Sequence, residues 1–198
     1  MTKIIGLTGG IGSGKTTITA FFKEMGIPVY IADDEAKKIM QSAEIIAAIK
    51  NDFGESLFEN NVLNRTKLAD IVFNDADKLA VLNSIVHPAV KRDFQFWLSQ
   101  NKNEPFVVYE AAILFESGKY KEFDYIVTVT APEELRIERV MKRDNTTREH
   151  VLSRMKMQWD DKKRISLSNF VINNSNLKIA KEEVVEILKI LKIKQKQS

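Results

Sequence analysis

Eight residues near the start of the chain have the types and spacing to bind phosphate: Gly9-Gly10-Ile11-Gly12-Ser13-Gly14-Lys15-Thr16. They match G-x-x-x-x-G-K-[ST], the P-loop pattern, at every fixed position. Glycines let a backbone wrap closely round an anion because no side chain blocks the approach. The N–H groups of such a loop and of the helix after it point at the anion. Lys15 can reach the β- and γ-phosphates of a nucleotide, and the Thr16 hydroxyl can ligate Mg²⁺. Gly9, Gly10, Gly12, Ser13, Gly14, Lys15, Thr16 and Thr17 are therefore the expected nucleotide-binding residues.

The loop needs a strand before it and a helix after it, and the sequence supplies both. Lys3-Ile4-Ile5-Gly6-Leu7 reads as a buried strand, while Ile18, Phe21, Phe22 and Met25 recur at i, i+3, i+4, i+7, one face of a helix. Gly26 suits the left-handed residue that ends it. Ile27-Pro28-Val29-Tyr30-Ile31 reads as a second strand, followed by Ala32-Asp33-Asp34. Acidic residues at that end of a strand lie where open α/β sheets bind ligands, although an Asp there can equally cap the next helix, expected over Glu35 to Gln41. Phe106-Val107-Val108-Tyr109 is a third strand ending in Glu110, a position from which a carboxylate can help hold Mg²⁺. Tyr125–Thr130 and Phe170-Val171-Ile172 complete five strands. The alternation with helices predicts an α/β fold, a P-loop NTPase-type parallel sheet flanked by helices.

Residues 34–104 differ in character. Helical spacings recur (Ile45, Ile46, Ile49; Leu68, Ile71, Val72; Leu79, Leu82, Ile85, Val86) with no convincing strand, and His87-Pro88 is expected to break the last pattern, Pro88 starting a new helix. This predicts a helical acceptor-binding insertion into a core made of 1–33 and 105–198. His87 reads either as a structural residue at the helix junction or as an acceptor-site group with a partner in reach.

Between the last two strands, Pro132-Glu133-Glu134 opens a helix that carries Arg136, Arg139 and Arg143 at i, i+3, i+7. Thr146-Thr147-Arg148-Glu149 reads as a capping box for another helix, with Val151, Leu152, Met155 and Trp159 on one side. Arginine suits bidentate phosphate binding. Residues 139–165 are read as a helical lid, against the alternative of a solvated charged surface.

Composition bounds the rest. The chain has 198 residues, no cysteine and a net charge of +3. It has neither disulfide nor thiol chemistry, and the charge is too small to argue for nucleic acid. No apolar run approaches a membrane span. A cytoplasmic protein without a signal peptide is expected, with a monomer favoured.

The order Gly9–Thr16, Ala32-Asp33, His87-Pro88, Leu114-Phe115-Glu116, Arg139, Arg143-Asp144 and Val171-Ile172-x-Asn174 resembles the dephospho-CoA kinase family over nearly the whole chain. Departures are Ile31 for the first aspartate of the usual Asp-Ala-Asp, Glu110 for aspartate, Ala112 for proline, and Ser168-Asn169 for Ala-Asp. The resemblance implies ATP- and Mg²⁺-dependent phosphorylation of the ribose 3′-hydroxyl of dephospho-CoA. It implies that Asp33 orients or deprotonates the acceptor and that Arg139 and Arg143 close over the transferring group. It also implies that His87 helps shape the acceptor site and that Asn174 lies near adenine. Another small-molecule or nucleoside kinase is the alternative within the class. A GTP-dependent switch is disfavoured, because Asn101-Lys102-Asn103-Glu104 ends in glutamate and follows a helix.

Overall fold

The structure, a computed structural model, describes residues 2–59 and 62–197. In chain order the elements are β1 (Lys3–Thr8), α1 (Lys15–Glu24), β2 (Val29–Ile31), α2 (Ala32–Ile39), α3 (Ala43–Phe53), β3 (Phe58–Glu59), β4 (Val62–Leu63), α4 (Arg65–Phe73) and α5 (Ala76–Gln100). Then come β5 (Phe106–Glu110), β6 (Tyr125–Thr130), α6 (Glu133–Asp144), α7 (Arg148–Lys156), α8 (Asp161–Ser166), β7 (Phe170–Asn173) and α9 (Leu177–Gln197). Two compact units divide the chain, one formed by Met1–Ile31 with Asn101–Ser198, the other by Ala32–Gln100.

The first unit is built on the parallel sheet that the strand–helix alternation predicts, in the order β2-β5-β1-β6-β7. Leu7 stands beside Glu110 on one side and Val127 on the other, so the carboxyl ends of β1, β5 and β6 lie side by side. The chain leaves β1 toward β2 and leaves β6 toward β7, in opposite directions. Such a divergence opens the crevice in which α/β sheets bind ligands. Ile5, Leu7, Val108, Val127 and Val129 form one inner face. Ile18 and Phe22 of α1 and Val184, Ile187, Leu188 and Leu191 of α9 cover it. Burying each such side chain contributes about 1.5–3 kcal/mol. The opposite face is crowded in turn. A Cβ at Gly6 would stand 2.7 Å from the Phe123 ring and 2.9 Å from the Leu114 side chain, so any larger residue in the middle of β1 would have to displace them.

The second unit has its own core of Ile45, Ile49, Leu57, Leu63, Leu68, Val72 and Ala89. Several local expectations change here. β3 and β4 pair antiparallel, Phe58 with Leu63 and Glu59 with Val62; strands of two residues are too short to leave an alternating pattern. α2 starts at Ala32, so Asp33 and Asp34 both sit in its first turn, where carboxylates oppose the helix dipole. The expected break at His87-Pro88 does not occur. α5 runs 25 residues with Pro88 inside it. Proline removes one helical N–H, but Val86, Ala89, Val90 and Phe94 are buried along the same helix while Pro88 itself is exposed, and that packing outweighs the lost bond. In the first unit, the cap of α7 is Thr147 rather than Thr146; its hydroxyl accepts from the His150 N–H. Among the described residues no helix is long and apolar enough to cross a membrane.

Because Pro88 costs α5 a hydrogen bond without being buried, Pro88→Ala should stabilise the protein by about 1–3 kcal/mol in urea denaturation. An unchanged or lower midpoint would mean that the proline ring contributes to packing.

Candidate active site

The loop between β1 and α1 is left-handed at Gly12 and Gly14, with φ of 78° and 88°. A Cβ at Gly12 would lie 2.4 Å from the Arg136 carbonyl oxygen, and one at Gly14 2.0 Å from Asn174 Nδ2. Both positions therefore require glycine for conformation and for space.

Each carbonyl of the loop has a donor. The Gly9 oxygen accepts from Lys15 Nζ at 3.1 Å. That of Gly10 accepts from the Ser13 N–H at 3.1 Å, and that of Gly14 from the Thr17 N–H at 3.0 Å. The Ile11 oxygen accepts from Arg136 Nε at 2.9 Å, the Gly12 oxygen from Arg139 at 3.5 Å, and the Ser13 oxygen from Asn174 Nδ2 at 2.8 Å. A backbone whose acceptors are all engaged on the protein can present its donors to an anion.

Lys15 lies between the Gly9 carbonyl and Glu110, its Nζ 3.8 Å from Glu110 Oε1. Glu110 ends β5 and is buried. Thr16 is exposed in the first turn of α1. The donor set fits Mg²⁺, since a hydroxyl and a carboxylate are the hard oxygen ligands that ion takes together with nucleotide phosphates.

Of the residues expected to serve the nucleotide, Arg139 and Asn174 are brought to this loop, but from behind. Arg139 donates to the Asn174 carbonyl at 2.8 Å. The Asn174 amide nitrogen is spent on Ser13, and its buried Oδ1 has no hydrogen-bond partner among the described residues. Arg143 is not brought to the loop. It is exposed and grips Asp144 through Nε at 2.6 Å, with Arg154 on the same carboxylate at 2.7 Å. Hydrogen bonds from Arg143 and Arg154 hold Asp144 far below the usual carboxylate range, and the bond to Asp144 raises Arg143. Asp33 and His87 belong to the second unit, Asp33 exposed in the first turn of α2 and His87 exposed within α5.

Sequence reasoning placed Arg136 on one helical face with Arg139 and Arg143. It is buried instead, bonded to Asp161 at 2.9 Å as well as to Ile11. Burial lowers its pKa from the ordinary value, and Asp161 opposes the shift. Asp161 also pairs with Arg164 at 3.0 Å, and Arg164, fully buried, reaches Glu116 at 3.2 Å. Both arginines press on the loop, since a Cβ at Gly10 would meet Arg136 at 2.2 Å and Arg164 at 3.0 Å. The one signal of this network in the sequence is Glu116 in the Leu-Phe-Glu block; Arg164 fell among the residues read as the lid.

A family model described as dephospho-CoA kinase matches residues 3–179. The chain belongs to the dephospho-CoA kinase family. A dephospho-CoA kinase of Bacteroides fragilis (strain YCH46) is 39% identical over 188 residues, covering 94% of this chain and 92% of that one. A solved structure from Thermus thermophilus superposes with a TM-score of 0.89 at 33% identity, over 96% of this chain and 97% of the other. The dephospho-CoA kinase of Campylobacter jejuni superposes with a TM-score of 0.69 at 26% identity, over 96% of each chain. The dephospho-CoA kinase fold thus spans both units of this chain.

Removing one member of a buried ionic network leaves the others unpaired, so Arg164→Met should cost about 3–5 kcal/mol of stability by urea denaturation. A loss below about 1 kcal/mol would mean that Glu116 and Asp161 find other partners.

Proposed function

We propose that this chain transfers the γ-phosphoryl group of ATP to the ribose 3′-hydroxyl of dephospho-CoA, giving coenzyme A and ADP. The observation that carries the reading is the family match over residues 3–179. The P-loop, with Lys15 at its mouth and Glu110 beside it, supports the nucleotide half on its own.

Phosphoryl transfer asks the protein for positioning and positive charge more than for covalent chemistry. The backbone from Gly9 to Thr17 cradles the phosphates, and Lys15 neutralises charge on the β- and γ-oxygens. Thr16, with Glu110, would hold Mg²⁺, which supplies further neutralisation of the phosphate charge when bound. Asp33 orients the acceptor hydroxyl and takes its proton as the oxygen attacks phosphorus, ADP being the leaving group. His87 helps shape the acceptor site. Arg139 and Arg143 belong to the lid of residues 139–165. In closing, Arg143 exchanges Asp144 for a phosphoryl oxygen. Asn174 braces the loop with its nitrogen and would lie near the adenine. The same reading makes the cytoplasm the place of work and a monomer the working form, with no nucleic-acid partner.

ADP release from Mg·ATP should require dephospho-CoA and fail with adenosine, nucleoside monophosphates, shikimate or gluconate. Turnover with one of those and silence with dephospho-CoA would refute the acceptor. In the same assay Asp33→Asn should keep the fold and lower kcat by ~10²–10⁴-fold, the range of a positioned base. A folded variant with wild-type kcat would remove Asp33 from the mechanism.

A further inference from the structure

One residue of the P-loop is gripped on all sides by elements that follow β5 in the chain. The Ile11 N–H donates to Gln158 Oε1 at 2.8 Å. The Ile11 carbonyl accepts from Arg136 Nε at 2.9 Å. Its side chain packs against the cluster of Ile137, Val140 and Val151 from α6 and α7. The N–H contact comes from the turn between α7 and α8.

That turn is itself fixed. The Trp159 N–H donates to Glu116 Oε1 at 3.0 Å. Its ring stacks on Phe115 with centroids 5.9 Å apart and planes 11° apart. Lys163 Nζ lies 3.4 Å from the centre of the Trp159 ring. Phe115 and Glu116 therefore fix Trp159, Trp159 carries Gln158, and Gln158 orients the Ile11 peptide.

We propose that Gln158 is a positioning residue for the nucleotide site, and that the Phe115–Glu116 pair acts through it. The proposal rests on the ATP reading of the P-loop. Ile11 stands between Gly10 and Gly12, the residue type with the most backbone freedom to lose. With its N–H held, the peptide keeps the orientation that the neighbouring donors need, and less ordering is left for the moment of binding. The acceptor plays no part in this contact. Losing the contact should therefore weaken nucleotide binding and slow transfer while leaving the acceptor's KM unchanged.

Two substitutions separate the acceptor atom from bulk. Gln158→Leu keeps the size and removes the oxygen; Gln158→Glu keeps an oxygen at the same reach. Titration calorimetry with Mg·ATP and no acceptor should show Gln158→Leu raising Kd about three- to tenfold, the net worth of one neutral hydrogen bond. Its kcat should fall, with KM for dephospho-CoA and Tm near wild type, and Gln158→Glu should restore both Kd and kcat. Wild-type Kd and kcat in Gln158→Leu would overturn the proposal. So would a Gln158→Glu variant as impaired as the leucine one, because the oxygen would then be irrelevant. If the leucine variant does not fold, hydrogen exchange on the nucleotide-free wild-type protein decides: the Ile11 amide should be protected, and fast exchange there contradicts the proposal. Because Kd is measured without acceptor, a chain that binds ATP but ignores dephospho-CoA sinks the proposed function and leaves this inference standing.

Discussion

A loop that turns its N–H groups toward an anion must put its carbonyls somewhere, and that requirement organises the first unit. Between Gly9 and Gly14 the oxygens are taken by Lys15, Ser13, Arg136, Arg139, Asn174 and Thr17. Two of those bonds are local turns of the loop, and Lys15 reaches back from α1. The remainder come from α6 and from the residue after β7, which the sheet brings near by setting β1 beside β6 and β6 beside β7. The left-handed glycines and the distant donors are two halves of one constraint. Glycine lets the chain bend into a shape whose acceptors point backward, and arginine and asparagine receive them there.

The arginines do this at a cost. Arg136 and Arg164 are buried, and taking a guanidinium from water is unfavourable unless carboxylates and carbonyls surround it. Asp161 and Glu116 provide that company. Among the described residues the network still leaves Arg164 Nε and Glu116 Oε2 without hydrogen-bond partners, so it does not serve stability alone. The apolar cluster of β1, β5, β6, α1 and α9 supplies the folding energy. The charged layer supplies a defined loop, at the place where α6, α8 and the Leu-Phe-Glu block meet.

The parts of the fold legible in the sequence are those with strong local signals. The P-loop, the five strands of the sheet and α1 follow from glycine spacing and apolar runs of the right length. Leu114-Phe115-Glu116 was visible as a family resemblance, without a role. What stayed hidden depended on tertiary context. Arg136, Arg139 and Arg143 share one helical face by spacing, yet the first is buried, the second braces the loop and the third pairs with Asp144. Spacing fixes a direction on the helix and says nothing of what stands opposite. Pro88 was expected to break a helix that the packing of Val86, Ala89 and Val90 carries straight through. Gln158 carried no signal, because one half-buried glutamine after a helix looks like any other until the Ile11 N–H is seen beside it.

The central claim is that this P-loop serves transfer to one hydroxyl of one acceptor. The most direct test is to incubate the purified chain with Mg·ATP and dephospho-CoA and to locate the new phosphate on the product by phosphorus–proton correlation NMR. A single product with the phosphate coupled to the ribose 3′ proton is predicted. A phosphate on the 2′ oxygen or on the pantetheine end, or ADP formed with no phosphorylated acceptor, would contradict the account.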